Sequence, residues 1–136
     1  MAKTPVTLMV DGFKDREVAM VEYAFSQAAD KEGQTTGVPR GGNITIKVKA
    51  LNDGTNELLG WMVDQSLKKD GKIVFMNSSD VTKKMKDIEF KGAYCVQFEE
   101  CWVDTTKADD LAHWELITIS CQEITNQSVT FDNEWL

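Results

Sequence analysis

In "NITIKVKA", Ile44, Ile46 and Val48 alternate with Thr45, Lys47 and Lys49. An exact period of two is the signature of a strand with one face against a core and one in water. Few chains carrying such a run can avoid a sheet. Other segments repeat the message. "VTLMV", Val6 to Val10, is a short apolar run that stops at Asp11-Gly12, a hairpin dipeptide, and reads as a first strand. "EVAMVEYAFSQ", Glu17 to Gln27, fits a helical stripe through Val18, Val21 and Phe25. It fits equally a strand face through Ala19, Val21, Tyr23 and Phe25. The β-branched and aromatic content and the preceding turn favour the strand.

The period changes once. Leu58, Leu59, Met62, Val63, Ser66 and Leu67 recur at spacings of three and four, which predicts a helix from Asn56 to Lys69. Thr55 or Asn56 would be its N-cap, Lys68 and Lys69 its last turn, and Gly71 its left-handed stop. Farther on, "KIVFMN" and "MKDIEFKGAYCVQFEECWVD" read as strands, the second bending at Gly92. Ile88 and Phe90 share one face there, followed by Tyr94, Val96, Phe98 and Trp102. "TTKADDLA", Thr105 to Ala112, is a polar connection. "HWELITISCQEI" and "SVTFDNEW" supply two more extended segments, for about seven strands and one helix. At 136 residues without a repeat or linker, one domain spanning 1–136 is expected. The fold class is mainly β, an antiparallel barrel or sandwich with the helix over one face or open end.

Between the second and third strands, Ala29 to Gly42 carries Gly33, Gly37, Pro39, Gly41 and Gly42 with little apolar periodicity. Loops of about 12–15 residues or more are usually functional or disordered. The segment lacks the Gly-Lys-Ser/Thr ending of a phosphate loop and enters a strand instead of a helix. What remains is a plain connection, or a surface arm whose Val38, Pro39 and Arg40 touch another chain.

Chemistry is sparse. His113 is the only histidine and precedes Trp114 at a strand start, a structural place more than a catalytic one. There is no Gly-x-Ser-x-Gly nucleophile turn. Cys95, Cys101 and Cys121 lack close C-x-x-C spacing, so with His113 they make a poor zinc set, and they read as free, mostly buried thiols. "DGTNE", Asp53 to Glu57, serves as a turn and helix start instead of a calcium loop. No catalytic, cofactor or metal residues are expected. Fifteen basic against twenty-two acidic residues give a net charge of −7, which argues against nucleic acid. No run is long enough for membrane insertion, and Val6 to Val10 is too short for a signal peptide, so a cytoplasmic start is expected. Asn-x-Ser/Thr matches at Asn43, Asn77 and Asn126 then carry no meaning.

Taken in order, "GVPRGGNITIKVKA", "ELLGWMVDQSLKKDGKIVFMN", "KMKDIEFKGAYCVQFEE", "ITISCQEI" and the terminal "NEW" resemble one family. It is the tube protein of type VI secretion systems, Hcp or TssD, in the form found among Bacteroidetes. Arg40-Gly41-Gly42 entering a strand, Trp61-Met62 in the helix, Lys68 to Phe75 and Lys86 to Tyr94 carry it; the cysteines lie outside the family pattern. The resemblance implies a small antiparallel β-barrel of two sheets with one α-helix packed at its side. It further implies homohexameric rings that stack into a hollow tube, contractile sheath proteins around it, a spike protein at its tip and effector proteins in its lumen. Export would run through that machine without a signal peptide. The family's extended loop, which reaches toward a neighbouring ring, matches Gln34, Thr35, Thr36, Gly37, Val38, Pro39 and Arg40. A small-ligand-binding β-barrel, and a family paralogue that serves as effector adaptor without building a tube, are the alternatives. A carrier would leave a cavity among Tyr23, Phe25, Ile46, Phe75, Phe90 and Phe98, which a tube subunit would fill.

Overall fold

The computed structural model describes residues 6–51, 53–77, 79–103 and 113–133. The polar connection expected at Thr105 to Ala112 and the terminal Trp135 lie outside them. Among the described residues there are eight strands and one helix in the order β1 (Val6–Val10), β2 (Arg16–Tyr23), β3 (Asn43–Lys49), α1 (Glu57–Val63), β4 (Lys69–Asn77), β5 (Asp80–Trp102), β6 (His113–Ser120), β7 (Glu123–Asn126) and β8 (Val129–Asp132). This is one strand more than the spacing of the sequence suggests, because "HWELITISCQEI" divides into β6 and β7 around Cys121 and Gln122.

Every strand pairing is antiparallel, and the neighbour order β4-β1-β2-β3-β6-β5 returns to β4, closing a six-stranded barrel. Two sheets share β2 and β5. In one, β5 pairs with β4 through Ala93 and with the β7–β8 hairpin through Ile88 to Lys91; in the other, Tyr94 to Trp102 pair with β6. The transfer occurs at Gly92, whose φ is 59°, so the bend foreseen there is real and needs a residue without a side chain. Inside, Leu8, Val18, Ile44, Ile46, Val48, Ile73, Ile88, Phe90, Ile117, Ile119 and Ile124 form one contiguous core.

Two bulges move side chains across faces. β2 slips register between Val18 and Met20, so Arg16 and Val18 face inward and Val21 and Tyr23 follow, while Ala19 is exposed. The three-residue gap from Val18 to Val21, which resembles a helical stripe, is this bulge. The strand also stops at Tyr23, short of the expected Gln27. On β5 a second slip between Cys95 and Gln97 leaves Val96 exposed, contrary to the face read from alternation, while Ala93 and Cys95 turn inward; Trp102, opposite His113 at the end of the strand, keeps the face of Phe98 but is exposed there.

The helix is half the predicted length. It ends at Val63, and Asp64 is extended at φ −96°, its carboxylate accepting the Ser66 amide at 3.1 Å. The residues after it belong to a stronger ladder: Lys69 faces Ala93, and Gly71 sits between Val10 and Phe90. Gly71 is therefore no helix stop. A Cβ there would collide with the Met9 carbonyl and lie 2.7 Å from the Phe90 ring, so its smallness lets two strands close. Asn56 does occupy the N-cap, without a side-chain cap hydrogen bond. Leu58 and Trp61 are buried, but Leu59 and Val63, which share the sequence stripe, are exposed. Trp61 donates its indole N–H to the carbonyls of Leu67 and Ala93, both at 3.2 Å, and so fastens α1 where β4 and β5 part.

Candidate subunit interface

Between β2 and β3 the chain forms a ladder-poor hairpin arm. Ser26 and Arg40 exchange backbone hydrogen bonds of 2.8 and 2.7 Å, the Thr36 amide donates to Ala28 at 2.9 Å, and the Gln27 side-chain amide donates to the Gly37 carbonyl at 3.1 Å. At the tip the Asp30 carboxylate accepts the amides of Glu32 at 3.0 Å and Gln34 at 2.9 Å, an Asx-type turn. The Gly33 amide donates to the Asp30 carbonyl with φ 84° at Gly33, a left-handed position suited to glycine. Local hydrogen bonds thus order a segment with almost no core of its own.

The base is anchored by packing. Phe25 lies 4.9 Å from Phe131 and 5.8 Å from Tyr23, centroid to centroid, and closes over Gly41, where an added Cβ would come within 2.7 Å of Cε1. The Asn133 amide donates to the carbonyls of Cys121 at 2.9 Å and Gly41 at 3.3 Å, and Asn126 donates to the Tyr23 hydroxyl at 2.6 Å. Phe25 is accordingly a bracket on the outside of the barrel and not an interior residue. Ile46 and Phe90 are buried, with Tyr23, Phe75 and Phe98 packed partly buried against the same core.

All seven residues singled out in the sequence, Gln34, Thr35, Thr36, Gly37, Val38, Pro39 and Arg40, lie together on the returning side of the arm and are exposed. Val38 is 69% exposed, high for a branched apolar side chain on an ordered segment. Val38, Pro39 and Arg40 line one wall of a groove of about 330 Å³, and Thr130, Phe131, Asp132 and Asn133 line the other. That second wall was not anticipated, since nothing local in "VTFDN" says which strand end it meets. Nor was the outer edge of β5 from Tyr94 to Trp102, which pairs with no strand among the described residues and exposes Val96 and Trp102.

Elsewhere the ionisable groups serve the scaffold. Arg16 donates to the Lys49 carbonyl at 2.9 Å and pairs with Glu115, both side chains being inside the barrel wall. The Lys14 ammonium, 2.6 Å from Asp53, and Thr55 hold the Asp53 carboxyl well below the usual carboxylate range. Burial pushes the thiol of Cys95 up to about 11 and that of Cys121 up to about 12. All three cysteines are free, and Cys101 is the least covered of them. His113 bonds Glu100 at 2.8 Å and stacks on Trp102. Among the described residues no group of three His, Cys, Asp or Glu side chains could hold a metal, and no helix is long and apolar enough to cross a membrane.

The family model for haemolysin-coregulated protein Hcp (TssD) matches residues 3–136. The chain belongs to the Hcp family. Hcp proteins are the β-barrel tube proteins of type VI secretion, a structural and not an enzymatic family. Among solved structures, Hcp1 from Flavobacterium johnsoniae superposes with a TM-score of 0.82 at 31% identity, over 94% of this chain and 98% of that one. Hcp1 from E. coli EAEC 042 gives 0.70 at 14%, over 98% and 100%. A chain of the PVC sheath–tube complex, an extracellular contractile injection system, gives 0.55 at 20%, over 95% and 92%. The last two are likenesses of fold. No curated protein sequence matches.

Proposed function

We propose that this Hcp chain, acting as one unit over 1–136, is the subunit of an inner tube, six copies closing a ring and the rings stacking. The braced arm is the observation that carries the reading: a segment ordered by its own hydrogen bonds, anchored at Phe25 and Gly41, that leaves Val38 and Arg40 exposed. Ordering such a segment in advance lowers the entropy cost of docking it on a second copy. Gln34 to Arg40 are assigned to the contact between rings.

Ring closure needs two different patches related by a rotation that closes. The outer edge of β5, unpaired among the described residues and with Val96 and Trp102 beside it, is suited to be one of them, since such a strand edge is a pairing template. Rigid rings then let modest contacts add. In this reading a contractile sheath surrounds the tube, a spike protein sits at its tip and effector proteins ride within it, and the chain leaves the cell through that machine. The likeness to a chain from a sheath–tube complex supports the sheath. No cofactor is called for.

Light scattering of the purified protein with negative-stain imaging of the same peak tests this. Rings of six that lengthen into tubes with concentration are expected, and Val38→Asp with Arg40→Glu should keep the rings and lose the tubes. A stable monomer at high concentration would overturn the tube and favour the adaptor paralogue.

A further inference from the structure

The β4–β5 ladder ends differently at its two extremities. At one end, past the Phe75–Lys86 pair, the hairpin carries Lys83, Lys84 and Lys86 around Met85, which is 58% exposed. At the other, a cleft of about 470 Å³ opens between the β1–β2 turn and β5. Its floor is Met9, Val10, Gly71 and Phe90, and its rim carries Asp11, Asp15, Asp70 and Glu89 against Lys72 and Lys91. Register separates the two: Gly71 faces Phe90 at the cleft, while Asn77 faces Asp80 at the hairpin end, about 20 Å away at strand rise.

From this placement we infer that the lysine-bearing hairpin end of one copy docks in the acidic cleft of a second copy stacked on it, a contact separate from the arm; the inference rests on the tube reading above. Complementarity is of two kinds. The apolar floor suits the thioether of Met85, a side chain that adapts to irregular gaps, and the acidic rim suits Lys83. Lys84 already neutralises Asp87 at 2.9 Å, which leaves the hairpin end cationic despite its carboxylates. Complementary ends on opposite extremities of one ladder generate a head-to-tail stack and not a closed pair. A wrong register would set lysine against lysine, so the contact also fixes the rotation of one ring on the next.

Lys83→Cys combined with Asp15→Cys, in a Cys101→Ser background, tests the pairing by oxidation. A disulfide needs Cα atoms within about 7 Å, so the two positions cannot join within one chain. In concentrated, tube-forming samples the expected result is a denatured, non-reduced ladder at multiples of the chain mass, absent for either cysteine alone and absent from dilute rings. A ladder in isolated rings would place the contact within the ring and overturn the inference. So would rings and tubes that form normally with no ladder. As a second variant, Lys83→Glu should shorten tubes at low salt and Asp15→Lys in the same chain should lengthen them again; no rescue counts against the pairing. If the unaltered protein never forms rings, the tube reading itself fails and takes this contact with it.

Discussion

The barrel wall and the arm are built by opposite means. In the wall, Ile44, Ile46, Ile117 and Ile119 are fully buried on paired strands, and each side chain excludes water for its neighbours. In the arm, from Ser26 to Arg40, order comes from backbone pairs, the Asp30 carboxylate and the Gln27 side-chain amide, and its side chains are exposed. A wall of this kind fails as a unit, whereas an arm of this kind can be altered without the wall responding. Stability is thereby concentrated in one region, and the recognition proposed above in the other.

The sharpest way to break that comparison is at Trp61, fully buried and bonded to two carbonyls. Trp61→Ala should destabilise by about 3–5 kcal/mol, read as a lower denaturant midpoint. Glu115→Ala comes next. It strands Arg16 inside the wall, at a cost of about 3–5 kcal/mol, whereas Arg16→Met with Glu115→Leu should be close to neutral, because a buried pair gains little over good apolar packing. Gly71→Ala should cost about 1–3 kcal/mol by forcing β1 and β4 apart at Met9.

The thiols sharpen the contrast through pH. Burial raises Cys121 to about 12 and Cys95 to about 11 from the thiol's ordinary value of 9.0. A folded-state value raised above the unfolded one favours folding of the protonated form. That contribution is whole below about pH 9 and is lost as pH rises through 11 and 12. Stability should therefore fall above pH 9 by more than in Cys121→Ala, measured by urea midpoints at pH 8 and 10.5.

The same division explains what was legible in the residues. Ile44, Ile46 and Val48 announce their face because a period of two survives wherever a strand is regular. It fails at the bulges, since one inserted residue at Ala19 or Val96 reverses everything after it and leaves no local mark. The sequence suggests a longer helix than the fold holds because Lys68 to Gly71 suit a helix end as well as a strand, and only pairing with Val10 and Phe90 decides. The arm's glycines and its length mark a long exposed loop, but the wall it leans on, Phe131 to Asn133, lies ninety residues downstream in sequence (131 against 41), and no spacing rule reaches that far.

The smallest expected effect is the most telling of the two regions' independence. Asp30 contributes only through its side-chain oxygen, which accepts the amides of Glu32 and Gln34 at the arm tip. A charged acceptor bond is worth about 1.5–3 kcal/mol locally, yet none of that is coupled to the barrel if the arm opens on its own. Asp30→Ala should then leave the unfolding midpoint within about 0.5 kcal/mol of the parent. Hydrogen exchange at the Glu32 and Gln34 amides should quicken by tenfold or more, about 1.4 kcal/mol per decade, while the β3 amides keep their protection. Slower assembly with unchanged monomer stability would follow, because an arm that must be ordered on contact docks at a higher entropic cost. Should Asp30→Ala instead lower the midpoint together with β3 protection, the arm would be part of the barrel's cooperative unit, and the separation of stability from recognition would not hold.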